Sequence, residues 1–154
     1  MGYNINEQQV KKYAGRTIYK QHILKYLYDL DQSEEIFGEI YKNIFKNGGS
    51  CDFDITYCGA SDAVKAIKLA GGYAVLAHSG QQQNFEIVPE LVKVGLDGLE
   101  LNHPSNGKSD KEKILELAEK YGLFLTGGSD FHGKYEKEER SVGDYISPEN
   151  PLIY

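Results

Sequence analysis

Four residues whose side chains can bind a metal ion lie at the ends of apolar runs: His78, His103, Asp130 and His132. Asp130 and His132 stand two residues apart after the run LFLTGGS, so in an extended or turning backbone both side chains can point the same way. A carboxylate and an imidazole suit zinc, manganese or iron better than calcium. The pair therefore predicts a metal site, whose remaining ligands must come from elsewhere in the chain.

Each candidate also has a structural interpretation, and the residue types alone leave both open. His78 can cap a strand or hydrogen-bond to the next loop, and His103, which precedes a proline and is therefore held extended, can orient a loop. An isolated Asp-x-His pair is a weak signal by itself. Glu100 alternates with leucines along its run, so its side chain either points into the mouth of a sheet or has a structural or solvent-facing role.

Alternating strands and helices position these residues in the second part of the chain. The apolar runs YAVLAH, LDGLELNH and LFLTGG predict three strands, and SDAVKAIKLAGG, FEIVPELVKVG and SDKEKILELAEKYG predict helices. We expect the first and last of these helices to begin at serine N-caps, Ser61 and Ser109, with Glu112 completing a capping box. This alternation is typical of a parallel sheet, whose sites form at the carboxyl ends of the strands. The four candidates should therefore share one rim.

The first fifty or so residues have a different pattern, rich in tyrosine and lysine. INEQQVKKYA, TIYKQHILKYLYDL and SEEIFGEIYKNIFKNGG predict helices, with Asn6 and Ser33 as N-caps and Gly48-Gly49 as a stop. The region should form a small helical layer. The final segment, SVGDYISPENPLIY, predicts a short strand or an extended run, made irregular by two prolines.

Composition restricts the classes of function. The chain has 154 residues and a net charge of −6, which disfavours broad nucleic-acid coating or a membrane-surface role. It contains no apolar run long enough to span a membrane and no nucleotide-binding glycine loop, and we expect a cytoplasmic protein. Cys51 and Cys58, the two cysteines, are predicted to be reduced thiols.

Three segments in order, AIKLAGGYAVLAHSG, VGLDGLELNHPSN and LAEKYGLFLTGGSDFHG, resemble the C-terminal part of the PHP (polymerase and histidinol phosphatase) superfamily. The similarity is greatest to its stand-alone metal-dependent phosphoesterases, which include nucleoside bisphosphate phosphatases and exoribonucleases. The resemblance implies a distorted (β/α)₇ barrel for the full-length family fold, with divalent metals at the strand ends. Residues 59–154 would be a partial β/α barrel with parallel strands, and residues 1–58 would correspond to the family's helical insertion.

The resemblance also implies roles for individual residues. AHSG matches the family's A-H-P-G motif, with Ser79 where proline is usual, and SDFH matches its last metal-binding motif. The bound metal would be manganese, zinc or iron, and the substrate a phosphorylated small molecule, a nucleotide or an RNA end. The implied metal ligands are His78, Asp130 and His132, and the implied substrate contacts are His103, Ser105 and Arg16.

The family's opening H-x-H motif does not occur in this sequence, whose only histidine before His78 is His22. We therefore expect a truncated chain that binds metal weakly or partially and shows little or no turnover alone. Open sheet edges should also favour a homo-oligomer. The alternatives are a non-catalytic dimeric remnant and one half of a split enzyme.

Overall fold

The computed structural model describes residue 3 and residues 5–53, 55–133 and 140–149. By its internal contacts the chain divides into two compact units, Met1–Thr56 and Tyr57–Tyr154. This boundary lies two residues before the expected one. The correspondence of the first unit to a family insertion stays a prediction.

The first unit is helical, as its sequence pattern predicts. Its elements are α1 (Glu7–Val10), a 3₁₀ turn (Lys11–Tyr13), α2 (Lys20–Asp29) and α3 (Glu39–Phe45). Asn6 is the N-cap of α1, since its side chain accepts the N–H groups of Gln8 and Gln9. The prediction for Ser33 is wrong: α3 begins after Gly38, and the Ser33 hydroxyl donates to the Glu35 carbonyl instead. Glycine is unfavourable inside a helix, which explains why the helix starts after it.

The second unit contains all the strands of the described residues, and its order confirms the predicted β/α alternation. Its elements are α4 (Ala60–Leu69), β1 (Val75–Leu76), α5 (Ser79–Gln82), a 3₁₀ turn (Phe85–Ile87), α6 (Val88–Lys93), β2 (Gly98–Asn102), α7 (Lys108–Tyr121) and β3 (Phe124–Gly127). The sheet is parallel, in the order β1-β2-β3. The carboxyl ends of the three strands therefore form one rim.

The predicted serine caps of this unit are wrong in the same way. Helix α4 begins after Gly59 and α7 after Gly107, each in extended backbone, and each glycine is followed three residues later by an aspartate. At α7 the Asp110 carboxylate accepts the Gly107 N–H at 2.9 Å. Ser61 lies inside α4, where its hydroxyl donates to Glu90 at 2.8 Å. Glycine reaches the required extended conformation easily, and at α7 the aspartate satisfies the glycine N–H from within the first turn of the helix.

The core lies between the sheet and the helices that pack on it. Gly98 is essential to this packing, because a Cβ there would lie 2.6 Å from the Phe124 ring. Burying these apolar side chains is the main favourable contribution to folding of the unit. The buried core residues are Val64, Ala74, Phe85, Val88, Leu91, Leu96, Leu99, Ile114, Ala118 and Leu123.

An ion pair closes the amino end of the sheet. The Lys68 ammonium lies 2.7 and 2.8 Å from the two Asp97 carboxylate oxygens, and the Ala74 N–H donates to the same carboxylate at 2.7 Å. Burial would raise the pKa of Asp97, but the hydrogen bonds from Lys68 and Ala74 and the lysine charge outweigh it, so the pKa is lowered. The pair thus ties α4 to the start of β1 and the loop before β2.

The segment 140–149 runs along the carboxyl ends of β2 and β3 and forms no strand; residues 142–145 form a turn and a bend, and residues 146–149 are irregular. The Gly143 and Tyr145 N–H groups donate to the Ser129 hydroxyl at 3.0 and 3.1 Å. The Asn102 amide donates to the Ile146 carbonyl at 2.9 Å. The last five residues of the predicted segment lie outside the described residues.

Two composition-based expectations can be compared with the structure. Cys51 and Cys58 are exposed and do not form a disulfide. Among the described residues, none of the helices has both the length and the apolar character required to cross a membrane.

Candidate metal centre

His78, Glu100 and His103 meet at the carboxyl ends of β1 and β2. Each offers one ligand atom that lies within 4.8 Å of the ligand atoms of the other two. The centroids of the two imidazole rings are 5.1 Å apart. His78 and Glu100 are half-buried, whereas His103 is buried. Two imidazoles and a carboxylate form a donor set that suits zinc, iron or manganese, so the residues present fit a divalent metal.

His78 is held in place by its own backbone. It lies between β1 and the short helix α5 in the left-handed conformation, with φ of 47°. Its N–H donates to the Glu100 carboxylate at 2.9 Å, so the two candidate ligands fix each other across neighbouring strands. A non-glycine residue in this conformation is strained, and such strain occurs preferentially at functional sites.

Asp130 approaches the same cluster from the end of β3. It too has a left-handed backbone, with φ of 48°. Its carboxylate lies 3.6 Å from His103 Nε2 and 4.0 Å from the Arg140 guanidinium. All three strands therefore contribute a side chain to one site.

His132 follows Asp130 and is more exposed, with 56% of its side chain accessible. Its Nδ1 lies 2.7 Å from the Asp130 backbone carbonyl. A carbonyl oxygen only accepts hydrogen bonds, so Nδ1 carries a proton, and in the neutral ring Nε2 keeps its lone pair. Histidines that ligate metals through Nε2 characteristically donate Nδ1–H to such an acceptor.

His103 has the opposite arrangement. Its Nδ1 accepts the Ser105 backbone N–H at 3.2 Å and lies 2.6 Å from the Ser105 hydroxyl. Its Nε2 is buried, and within the described part of the chain it has no hydrogen-bond partner.

A buried asparagine connects the loops that carry these histidines. The Asn106 amide donates to the backbone carbonyls of Glu100 and Leu101 at 3.0 and 3.1 Å, and its oxygen accepts the Gly80 N–H at 3.2 Å. It therefore fixes the loop after β1 against the end of β2. Buried polar side chains that are fully hydrogen-bonded in this way rigidify their surroundings.

The structure brings together most of the residues singled out from the sequence. His78, His103 and Asp130 converge, His132 is hydrogen-bonded to Asp130, and Ser105 contacts His103. Their roles as ligands or substrate contacts stay predictions. Arg16 lies exposed in the first unit, between the 3₁₀ turn and α2, and its phosphate contact also stays a prediction.

Sequence reasoning gave no site role to Glu100, Asn106 or Arg140. The signal for Glu100 was its alternation with leucines in β2, which allowed an inward orientation. The sequence offered no comparable signal for Asn106 or Arg140, because their contacts depend on how distant loops meet.

Comparison with known proteins yields related phosphoesterases, although no family model matches the chain. It is 40% identical over 136 residues to the phosphoribosyl 1,2-cyclic phosphate 1,2-diphosphodiesterase of Eggerthella lenta, covering 87% of this chain and 52% of that protein. It is 33% identical over 85 residues to the 3′,5′-nucleoside bisphosphate phosphatase of Chromobacterium violaceum, covering 52% of this chain and 30% of that protein.

A solved structure extends the similarity to the fold. The crystal structure of a candidate metal-dependent phosphoesterase from Bifidobacterium adolescentis superimposes with a TM-score of 0.79 at 28% identity, covering 95% of this chain and 54% of that protein. The chain spans about half the length of the first curated relative and of this structural neighbour. The match confirms the predicted partial β/α barrel. The resemblance drawn from the three segments is confirmed with it: the chain is similar to PHP-type phosphoesterases over about half of their length.

Proposed function

We propose that this chain supplies part of the metal and phosphate site of a phosphoester hydrolase. His78, Asp130 and His132 would hold a divalent manganese, zinc or iron ion together with Glu100. The observation that carries the proposal is the convergence of imidazoles and carboxylates from three strand ends on one rim. A bound ion would lower the pKa of a coordinated water and neutralise charge on phosphoryl oxygens.

The charges of the site indicate why phosphate binding would depend on the metal. Glu100 and Asp130 bring two carboxylates to the rim, and the Arg140 guanidinium lies 4.0 Å from the Asp130 carboxylate. A dianionic phosphate placed beside two carboxylates is repelled unless additional positive charge is present. The carboxylates and imidazoles of the rim would therefore hold the cation, and its positive charge would make the rim attractive to phosphate.

The relatives support a phosphorylated small molecule or nucleotide as the substrate. Their names describe a cyclic phosphate of a phosphoribosyl group and a nucleoside bisphosphate, and both compounds carry more than one phosphate. A second substrate phosphate would require a cation away from the metal. Arg16 is the residue proposed for that contact.

Two further expectations stay predictions. Leu69 and Tyr73, next to the edge strand β1, are 89% and 69% exposed, which supports self-association along that edge. A cytoplasmic location is proposed from the composition and from the relatives, which are enzymes of small phosphorylated molecules.

Metal content is the direct test of the proposed site. The chain, purified without chelator and analysed by inductively coupled plasma mass spectrometry, should contain manganese, zinc or iron at a measurable level, even if the site is only partly filled. The variant His78→Ala/Asp130→Ala removes one ligand from each of two strands and should lower metal affinity at least about 100-fold. The control Asp62→Ala/Glu112→Ala removes two exposed helix carboxylates and should keep the metal. Equal metal content in the two double variants would refute the site.

A further inference from the structure

A cavity of about 490 Å³ lies in the first unit, between α2 and the helical turns that precede it. Its volume is in the range of cavities that bind small molecules, about 300–1,000 Å³. None of the side chains that line it is a candidate metal ligand or substrate contact of the site at the strand ends. The lining residues are Gln9, Lys12, Tyr13, Tyr26 and Leu30.

Helical spacing brings these side chains together. Gln9 lies in α1, and Lys12 and Tyr13 follow it by three and four residues in the 3₁₀ turn. Residues at this spacing share one face of a helix. Tyr26 and Leu30 are four residues apart and line the cavity from α2 and its C-cap. The cavity therefore has one polar and one largely apolar side.

Two tyrosine rings form an aromatic wall. The ring centroids of Tyr13 and Tyr26 are 6.0 Å apart and their planes meet at 75°, an edge-to-face arrangement that aromatic pairs favour. The Lys25 ammonium lies 5.3 Å from the centre of the Tyr13 ring and 2.5 Å from the Asp29 carboxylate. Tyr26 is only 8% exposed, which anchors the wall in the interior of the unit. Such a wall suits a planar aromatic ring.

The charges near this wall leave one cation available to a ligand. Lys25 and Asp29 balance each other. The hydrogen bond of the Tyr13 hydroxyl to Asp29 raises the pKa of Tyr13, so this hydroxyl stays uncharged near neutral pH. Lys12 is exposed, and within the described ranges its ammonium pairs with no carboxylate. The lining thus carries a single positive charge.

We propose that this cavity binds a planar aromatic monocarboxylate, with its ring against Tyr13 and Tyr26 and its carboxylate at Lys12 and Gln9. The lysine ammonium and the glutamine amide are both donors and match the two acceptor oxygens of a carboxylate. One lysine balances one negative charge, whereas a phosphate dianion would keep a charge uncompensated. The site is independent of the proposed hydrolysis, since its residues all lie in the first unit.

Indole-3-acetate and its neutral isostere indole-3-acetamide test the ring and the charge separately. The chain contains no tryptophan, so indole fluorescence reports the ligand alone in equilibrium dialysis. A chelator is included so that metal at the strand ends plays no part. Indole-3-acetate should bind saturably and at least about threefold more tightly than the amide, because only the carboxylate pairs with Lys12. Acetate, which lacks the ring, should not compete.

Two lysine variants separate a specific contact from general charge attraction. Lys12→Gln should weaken indole-3-acetate about three- to tenfold and leave indole-3-acetamide within about twofold. Lys11→Gln is the matched control, because Lys11 pairs with Glu7 at 2.6 Å and does not line the cavity. It should leave both affinities within about twofold. Tyr13→Leu keeps an apolar side chain but removes the ring, and should weaken both ligands about threefold or more.

Three results would overturn the proposal. The first is an absence of saturable indole-3-acetate binding to the wild-type chain. The second is an equal loss of affinity in Lys11→Gln and Lys12→Gln, which would show general charge attraction. The third is tighter binding of adenosine 5′-monophosphate than of indole-3-acetate, which would make the cavity a nucleotide site. Each readout is taken without metal, so failure of this proposal and failure of the proposed metal site are distinguishable.

Discussion

The two ends of the β1–β2 pair are built alike but completed differently. At the amino end the Ala74 N–H donates to Asp97 at 2.7 Å, and at the carboxyl end the His78 N–H donates to Glu100 at 2.9 Å. Asp97 is also paired with the Lys68 ammonium. Within the described part of the chain no lysine or arginine pairs with Glu100, which instead lies among two imidazoles.

The difference between Asp97 and Glu100 suggests different roles for the two ends of the sheet, one in stability and one in metal binding. The amino-end carboxylate has its cation within the chain and can only tie elements together. The carboxyl-end carboxylate lies where a cation can still be added from solution. Parallel β/α proteins commonly place stabilising residues at the first end and reactive residues at the second, and here one pair of strands shows both.

Among the single substitutions that test this comparison, Glu100→Gln should have the largest effect. Its amide oxygen can still accept the His78 N–H, so the stability of the metal-free chain should change by less than about 0.5 kcal/mol. The lost negative charge should reduce zinc affinity about 10- to 100-fold. Chelator competition and thermal denaturation would measure the two quantities, with the exposed Glu116→Gln as control. If zinc affinity were unchanged in Glu100→Gln, the proposed role of the carboxyl end of the sheet in metal binding would be wrong.

Asp97→Asn should have the complementary effect, with stability lowered and zinc affinity unchanged. Lys68 and Asp97 side chains are 36% and 21% exposed, so solvent screening limits the expected loss to about 1 kcal/mol in urea denaturation. The lowered pKa of Asp97 means that its contribution is present above the unfolded pKa, about 3.9, and is lost as pH falls through the folded value. The stability difference from wild type should therefore be constant near neutral pH and shrink below about pH 4. A difference that grew on acidification would contradict this assignment.

The smallest effect on stability should come from the strained backbone of Asp130, at the carboxyl end of the sheet. Asp130 has φ of 48°, a conformation that glycine adopts freely and alanine does not. Asp130→Gly should therefore be more stable than Asp130→Ala by up to about 1 kcal/mol, although both should bind zinc poorly. Position 62, inside α4, provides the control, because there the alanine variant should be the more stable. If Asp130→Ala were as stable as Asp130→Gly or more stable, as expected for the two variants at position 62, the backbone of Asp130 would not be strained.

The sequence predicted the elements better than their boundaries. Strands β1, β2 and β3 were predicted from the apolar runs that end at His78, His103 and Gly128, because a parallel sheet covered on both faces requires apolar strands. The caps were mispredicted because Gly59-Ala-Ser-Asp and Gly107-Lys-Ser-Asp each contain several residues that favour a helix start. The N-cap preferences of glycine, serine and aspartate are too similar to decide which of these residues begins the helix.

The site was predictable to the extent that strand ends determine it. Parallel topology places His78, His103 and Asp130 on one rim without further information. The role of Glu100 depends on a hydrogen bond between residues 22 apart, and the tautomer of His103 depends on one backbone N–H. Neither follows from residue type, because both depend on the local path of the folded chain.

The two N–H-to-carboxylate bonds also bear on how the strands find each other. Strand β1 contributes only two residues to its ladder, Val75 opposite Gly98 and Leu76 opposite Leu99, so main-chain pairing alone specifies the alignment weakly. Asp97 and Glu100 bracket this short ladder, and sliding β1 by one residue would break both of their bonds at once. The two carboxylates thus disfavour the shifted alignment, and Glu100, the proposed metal ligand, also helps to specify the register of the sheet.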